Sequence, residues 1–96
     1  MKVTAETLNF ILQANRNIVG RILPLHCSDY FIISMQASSI HYCFPRYNMG
    51  PWEKVELRCN HEKILDQWRE TPEGNIYGYV PIKIVAKLIN SHGGLI

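Results

Sequence analysis

Pro81 stands between two patterns that demand opposite backbones. Before it, Ile76-Tyr-Gly-Tyr-Val80 is a short run of β-branched and aromatic residues, which suits a strand. After it, Ile82, Val85, Ala86 and Ile89 recur at the three-and-four spacing of a buried helix face, with Lys83, Lys87 and Asn90 on the other side. Proline suits the first helical position, where its missing N–H goes unused and its fixed φ is already helical. Gly93 lies where a left-handed cap ends a helix. The segment therefore predicts a strand running directly into a helix with a defined start and stop, the scaffold on which the rest of the chain packs.

Thr4 reads as an N-cap, with Val3 in the staple position and Glu6 in the first turn. Leu8, Ile11, Leu12, Ile18, Val19 and Ile22 keep a helical period, predicting one helix from Ala5 to Leu23 that Pro24 ends. Asn9, Gln13, Arg16 and Asn17 form its polar face, read as solvated. Tyr30–Gln36 is a strand by composition, with Phe31, Ile33 and Met35 on one face. Ala37-Ser38-Ser39 suits a hairpin connection into a second strand, Ile40–Phe44, with Ile40, Tyr42 and Phe44 facing inward. Lys54–Cys59 alternates cleanly, with Val55, Leu57 and Cys59 inward. Asn60 caps an expected helix from His61 to Glu70, buried through Ile64, Leu65 and Trp68. The predicted order is α-β-β-β-α-β-α. This describes an α+β fold, one domain over residues 1–96, with helices covering a mainly antiparallel sheet of three to four strands.

A chain of 96 residues with 47% apolar and 19% charged side chains holds one core and is not expected to be disordered. Its net charge of +2, spread rather than clustered, gives no electrostatic argument for nucleic acid. No apolar run approaches the roughly 20 residues of a membrane span, and the first residues do not resemble a signal peptide. Three cysteines, an odd number, point to free thiols and a reducing, cytoplasmic setting.

Chemistry-bearing patterns are weak. Histidine lies near each thiol, in His26-Cys27, His41-x-Cys43 and Cys59-x-His61. The expected alternation turns Cys43 and Cys59 to opposite faces, however, and the spacing matches no zinc module. No glycine-rich phosphate loop occurs, and Glu53, Glu56 and Glu73 are not read as a catalytic carboxylate pair. A thiol- or zinc-dependent enzyme is thus the least favoured class; no catalytic residue, metal or cofactor is assigned.

The distinctive stretch is Phe44-Pro-Arg-Tyr-Asn-Met-Gly-Pro-Trp52. It concentrates side-chain types enriched in interface cores, between prolines that limit the freedom lost on binding. The sequence predicts a protein–protein interaction module anchored by Arg46, Tyr47, Met49 and Trp52. Lys54 and Arg58 would serve as rim charges, with Tyr77 and Tyr79 as a neighbouring aromatic patch. Gly78 between those tyrosines suggests a bulge, with at least one of the rings in the core. Small size and missing catalytic chemistry are shared with inhibitors and adaptors that phages and other mobile elements direct at host complexes, and by that analogy such a role is expected here. The alternative from another class is a nucleic-acid-binding domain using the 44–58 region, by stacking bases on its aromatics. The sequence leaves homo-oligomerisation open.

Overall fold

A computed structural model describes all residues from 1 to 96. The elements are α1 (Ala5–Ala14), β1 (Leu25–His26), β2 (Ile32–Gln36), β3 (Lys54–Arg58), a 3-10 helix (Lys63–Trp68), β4 (Ile76–Pro81) and α2 (Ile82–Ser91). The strands form one sheet in the order β1-β2-β3-β4, each antiparallel to its neighbour. The fold is α+β. A single cluster of 22 buried apolar residues runs from Val3 to Leu95, so the chain has one core.

The β4–α2 junction follows the sequence reading except at Pro81, which at ψ 130° is the N-cap and last strand residue, one position before the first helical one. Ile82, Val85, Ala86 and Ile89 are all buried, and Pro81 ends the strand and precedes the helix directly. At the other end Gly93 takes a φ of +86°. Its N–H reaches the Asn90 carbonyl at 3.1 Å and the Gly94 N–H reaches Ile89 at 3.0 Å, the pair of bonds that closes a Schellman cap. Thr4 caps α1, its hydroxyl accepting the Thr7 N–H at 3.2 Å. Asn90 joins the two helices: its amide accepts from the Val3 N–H and donates to the Val3 carbonyl, each at 2.8 Å.

Between β3 and β4 the register pairs Val55 with Val80 but Leu57 with Tyr77. Gly78 and Tyr79 thus oppose Glu56 alone, a β-bulge. Tyr79 lies in the left-handed region at φ +55°, and Gly78 is buried where a Cβ would run into the Glu70 carboxylate and, at 3.1 Å, Cβ of Tyr42.

Three expectations fail for local reasons. The first helix stops at Ala14, not Leu23, because Asn17 Oδ1 collects the N–H groups of Val19 and Arg21, both at 3.0 Å, and so builds a turn in place of the helical ladder. Ile22 is still buried, while Ile18 and Val19 are exposed. Ile40–Phe44 forms no strand. The Ser38 hydroxyl accepts the Ile40 N–H at 3.1 Å and starts a turn, and only Phe44 pairs, with Lys54. The faces are reversed as well: His41 and Cys43 are buried, and Ile40, Tyr42 and Phe44 are exposed. The strand flanking β2 is instead Leu25–His26, where the sequence predicts no element. The helix expected over His61–Glu70 is the shorter 3-10 helix, begun at Glu62 with no side-chain cap, and Ile64 is exposed.

Neither edge of the sheet is left long and bare. On the outer side of the two-residue β1, the His26 carbonyl accepts the Ile96 N–H at 3.0 Å. Where β1 stops short of the end of β2, Gln36 pairs with Ile22, accepting its N–H at 3.0 Å and donating to its carbonyl at 2.9 Å. On the outer side of β4, the Ile76 carbonyl accepts the Glu70 N–H at 3.0 Å and the Tyr79 N–H donates to the Tyr42 carbonyl at 2.9 Å. No long bare edge is left for an added strand.

Candidate interaction surface

The aromatic-rich segment is a closed loop. Phe44 and Lys54 exchange backbone hydrogen bonds at 3.0 and 3.1 Å, and the nine residues between them include two cis peptide bonds, before Pro45 and Pro51. The polar face of α1 holds this loop from one side. Asn9 accepts the Trp52 N–H at 2.6 Å and donates to the Trp52 carbonyl at 3.0 Å, and Gln13 accepts the Gly50 N–H at 2.6 Å. The Arg16 guanidinium lies 5.2 Å from the Trp52 ring centroid and donates to the Ala37 carbonyl at 2.6 Å. The face read as solvated is therefore an intramolecular contact, and three of its four polar residues position the loop.

This corrects Trp52 as an anchor and Tyr77 as a contact residue, Tyr77 being the one of the two β4 tyrosines that meets the expectation of a core ring. Trp52 is 1% exposed, its indole N–H donating to the Tyr47 carbonyl at 3.2 Å, so it holds the loop from within. Tyr77 is fully buried in the core under Arg69. Neither ring reaches a partner of the folded chain. Arg46, Tyr47, Met49 and Lys54 are exposed on or at the foot of the loop, and Tyr79 is 40% exposed. Arg58 is exposed too, but at the far end of β3, four residues or roughly 13 Å from Lys54. It stands by Tyr30 and Ile32 and lies apart from the loop.

Tyr42, read as a core residue, joins the loop to the bulge. The Arg46 guanidinium lies 5.7 Å from its ring centroid, and the Tyr79 ring stands 6.0 Å away, tilted by 33°. Its N–H donates to Glu56 Oε1 at 3.0 Å, which places a carboxylate beside the aromatic pair. Arg46, Tyr42 and Tyr79 form one continuous row, with Tyr47 and Met49 exposed on the same loop as Arg46. Alternation misplaced Tyr42 because its strand does not form; loop composition points to Arg46, Tyr47 and Met49, and the bulge signal at Gly78 points to Tyr79.

Elsewhere His41 and the three thiols are packed into the fold. The Ser38 hydroxyl lies 2.5 Å from His41 Nδ1, but Ser38 is 1% exposed and its oxygen already accepts the Ile40 N–H, which leaves no line of attack on a substrate. Burial lowers the His41 pKa, the positive charges of Arg21, Arg16 and Arg46 acting the same way against the pull of Glu56, so the ring is neutral near pH 7. All three cysteines are buried and unpaired. Burial pushes each thiol up, Cys59 to about 12 with help from the Glu62 charge, so none is a ready nucleophile. No three His, Cys, Asp or Glu side chains converge in a way that could hold a metal ion, and no helix is long and apolar enough to cross a membrane. Compared with protein-family models, curated proteins and solved structures, the chain finds no match.

Proposed function

We propose that this protein is a small protein–protein interaction module. Its contact face is the row Arg46–Tyr42–Tyr79 together with Tyr47 and Met49. The observation that carries the reading is the clamp of α1 on the loop. With Trp52 buried and Asn9, Gln13 and Arg16 bonded or packed against the segment, Tyr47 and Met49 are held in place while exposed at 68% and 72%. A rigid loop that displays apolar and aromatic side chains loses little entropy when it binds. Tyr79 adds to this: a non-glycine residue in the left-handed region costs about 1 kcal/mol, and such strain tends to gather at working surfaces. Closed sheet edges favour recognition by side chains over strand addition. Inhibition or adaptation of a host complex, as by proteins of mobile elements, is the form of this activity that the chain's size and sparse chemistry suit.

The test is recovery of a bound protein from a host lysate by wild type and by Tyr47→Ala/Met49→Ala, with circular dichroism confirming the fold of both. The double variant is expected to lose the partner, and equal recovery would refute the reading. A salt-sensitive shift of single-stranded oligonucleotides, abolished by the same variant, would instead assign the face to nucleic acid.

A further inference from the structure

His92, the residue just past α2, is gripped at both ring nitrogens. Nδ1 lies 2.5 Å from Asp29 Oδ2, in the β1–β2 turn, and Nε2 lies 2.5 Å from Glu62 Oε1, at the start of the 3-10 helix. Phe31 stacks flat on the ring, with centroids 3.9 Å apart and planes 6° from parallel. The side chain is 20% exposed. A neutral imidazole has one N–H and can donate to only one carboxylate; the other would then face a lone pair. Both contacts are hydrogen bonds only when the ring carries two protons. The charged ring is also the form that an aromatic face attracts.

We propose that His92, Asp29 and Glu62 form a proton-dependent clasp, closed when the ring is an imidazolium and open when it is neutral. The clasp joins the end of α2, the β1–β2 turn and the approach to the 3-10 helix; the turn and the chain just past α2 also share the antiparallel Cys27–Leu95 bridge. On opening, the approach to the 3-10 helix is the part most readily freed, because its Glu62 cap has no other side-chain bond. The β1–β2 turn stays tied to the chain end through Ser28, whose N–H donates to the Gly94 carbonyl at 2.9 Å.

The groups facing the ring agree with this. Burial works against the charged ring, but the hydrogen bonds and charges of Asp29 and Glu62 outweigh it and hold the His92 pKa above the ordinary histidine value. The hydrogen bond from His92 likewise leads the causes that hold Asp29 below the ordinary carboxylate value. Cys27 feels the Asp29 charge and Cys59 the Glu62 charge; both thiols stay protonated. A raised pKa in the folded state means stability present in full below the unfolded value of about 6.5 and lost as pH rises through the folded one.

The experiment is an NMR titration of the His92 ring in wild type, Asp29→Asn and Glu62→Gln. It is joined by hydrogen exchange at Glu62 and its neighbours, corrected for intrinsic base catalysis, in wild type and His92→Gln. The wild-type midpoint is expected above 6.5, lower in each carboxylate variant. Protection around Glu62 should fall through that midpoint in wild type and stay level in His92→Gln. A wild-type midpoint at or below about 6.5 would overturn the proposal, as would identical exchange profiles with and without His92. Should His92→Gln fail to fold, the midpoint shifts of the two carboxylate variants decide alone, and unshifted midpoints count against the clasp.

Discussion

Asn9 binds Trp52 by both of its backbone groups, accepting the N–H at 2.6 Å and donating to the carbonyl at 3.0 Å. Gln36 does the same for Ile22, and Asn90 for Val3. In each case a side-chain amide stands in for a neighbouring strand at a place where the chain has none. These three residues fix the parts of the chain that regular structure does not reach: the aromatic loop, the segment after α1 and the N-terminus.

Asn9→Ala is therefore expected to cost about 2 kcal/mol, since it leaves two partly buried backbone groups of Trp52 unpaired. Asn9→Asp keeps the acceptor but sets a carboxylate against the Trp52 carbonyl, and should also destabilise. Urea denaturation measures both. If the amide matters chiefly to the loop, tryptophan fluorescence will report release of Trp52 before the rest of the chain unfolds.

The two buried or half-buried tyrosines of β4 should separate cleanly. Tyr77 is fully buried and its hydroxyl has no hydrogen-bond partner in the protein. Tyr77→Phe removes an unpaired polar atom from the core, and is expected to leave stability unchanged or raise it by about 1 kcal/mol with no effect on binding. Tyr79→Ala, by contrast, should leave the core intact and weaken partner capture. Loss of binding in Tyr77→Phe would contradict its placement in the core.

Tyr30 occupies the left-handed position of the β1–β2 turn at φ +73°, with its side chain 87% exposed. The Cys27 N–H bonds the Phe31 carbonyl at 2.8 Å across a three-residue connection, the kind that usually places glycine there. Tyr30→Gly removes the steric cost and adds chain entropy to the unfolded state; the balance is a gain of about 0.5 kcal/mol. Thermal melting tests this, and a loss of stability would show that the exposed ring packs usefully.

The elements legible in the sequence are those in which period, caps and burial agree. In α2 the buried positions, Pro81 and Gly93 all mark the same helix, and in β3 alternation matches burial from Val55 to Cys59. The α1 helix shows the limit: Ile18, Val19 and Ile22 continue its period, yet one Asn17 side chain takes over the backbone donors. Strand composition misled at Ile40–Phe44 because a strand needs a partner, and only Phe44 finds one. At the candidate site, Arg46, Tyr47 and Met49 were legible as surface because prolines and loop composition surround them. Trp52 was not, since an aromatic side chain in a loop serves equally to bind a partner or to fasten the loop. The amides that decided the matter, Asn9 and Gln13, sit on a helix face 43 and 37 positions away from the loop residues they bind.

Two histidines should shape the pH dependence of stability from opposite sides. His41 is 5% exposed and neutral, its pKa lowered chiefly by burial. Below about 6.5 the unfolded chain takes up a proton that the folded ring resists, so this contribution is complete above that value and is lost as pH falls through the lowered one. His92 acts in reverse, its raised pKa making stability fall as pH rises. Stability is expected to be greatest between the two folded-state values and to decline on each flank. In His41→Asn, where the amide oxygen takes the place of Nδ1 beside the Ser38 hydroxyl, the acid flank should flatten while the alkaline flank is unchanged. His92→Gln should instead flatten the decline that begins just above about 6.5, leaving in place the further fall at higher pH that the raised pKa values of the buried thiols impose. Urea denaturation midpoints across pH for the three proteins measure both flanks, and a variant that flattens the wrong flank would show that its histidine has been given the wrong charge state.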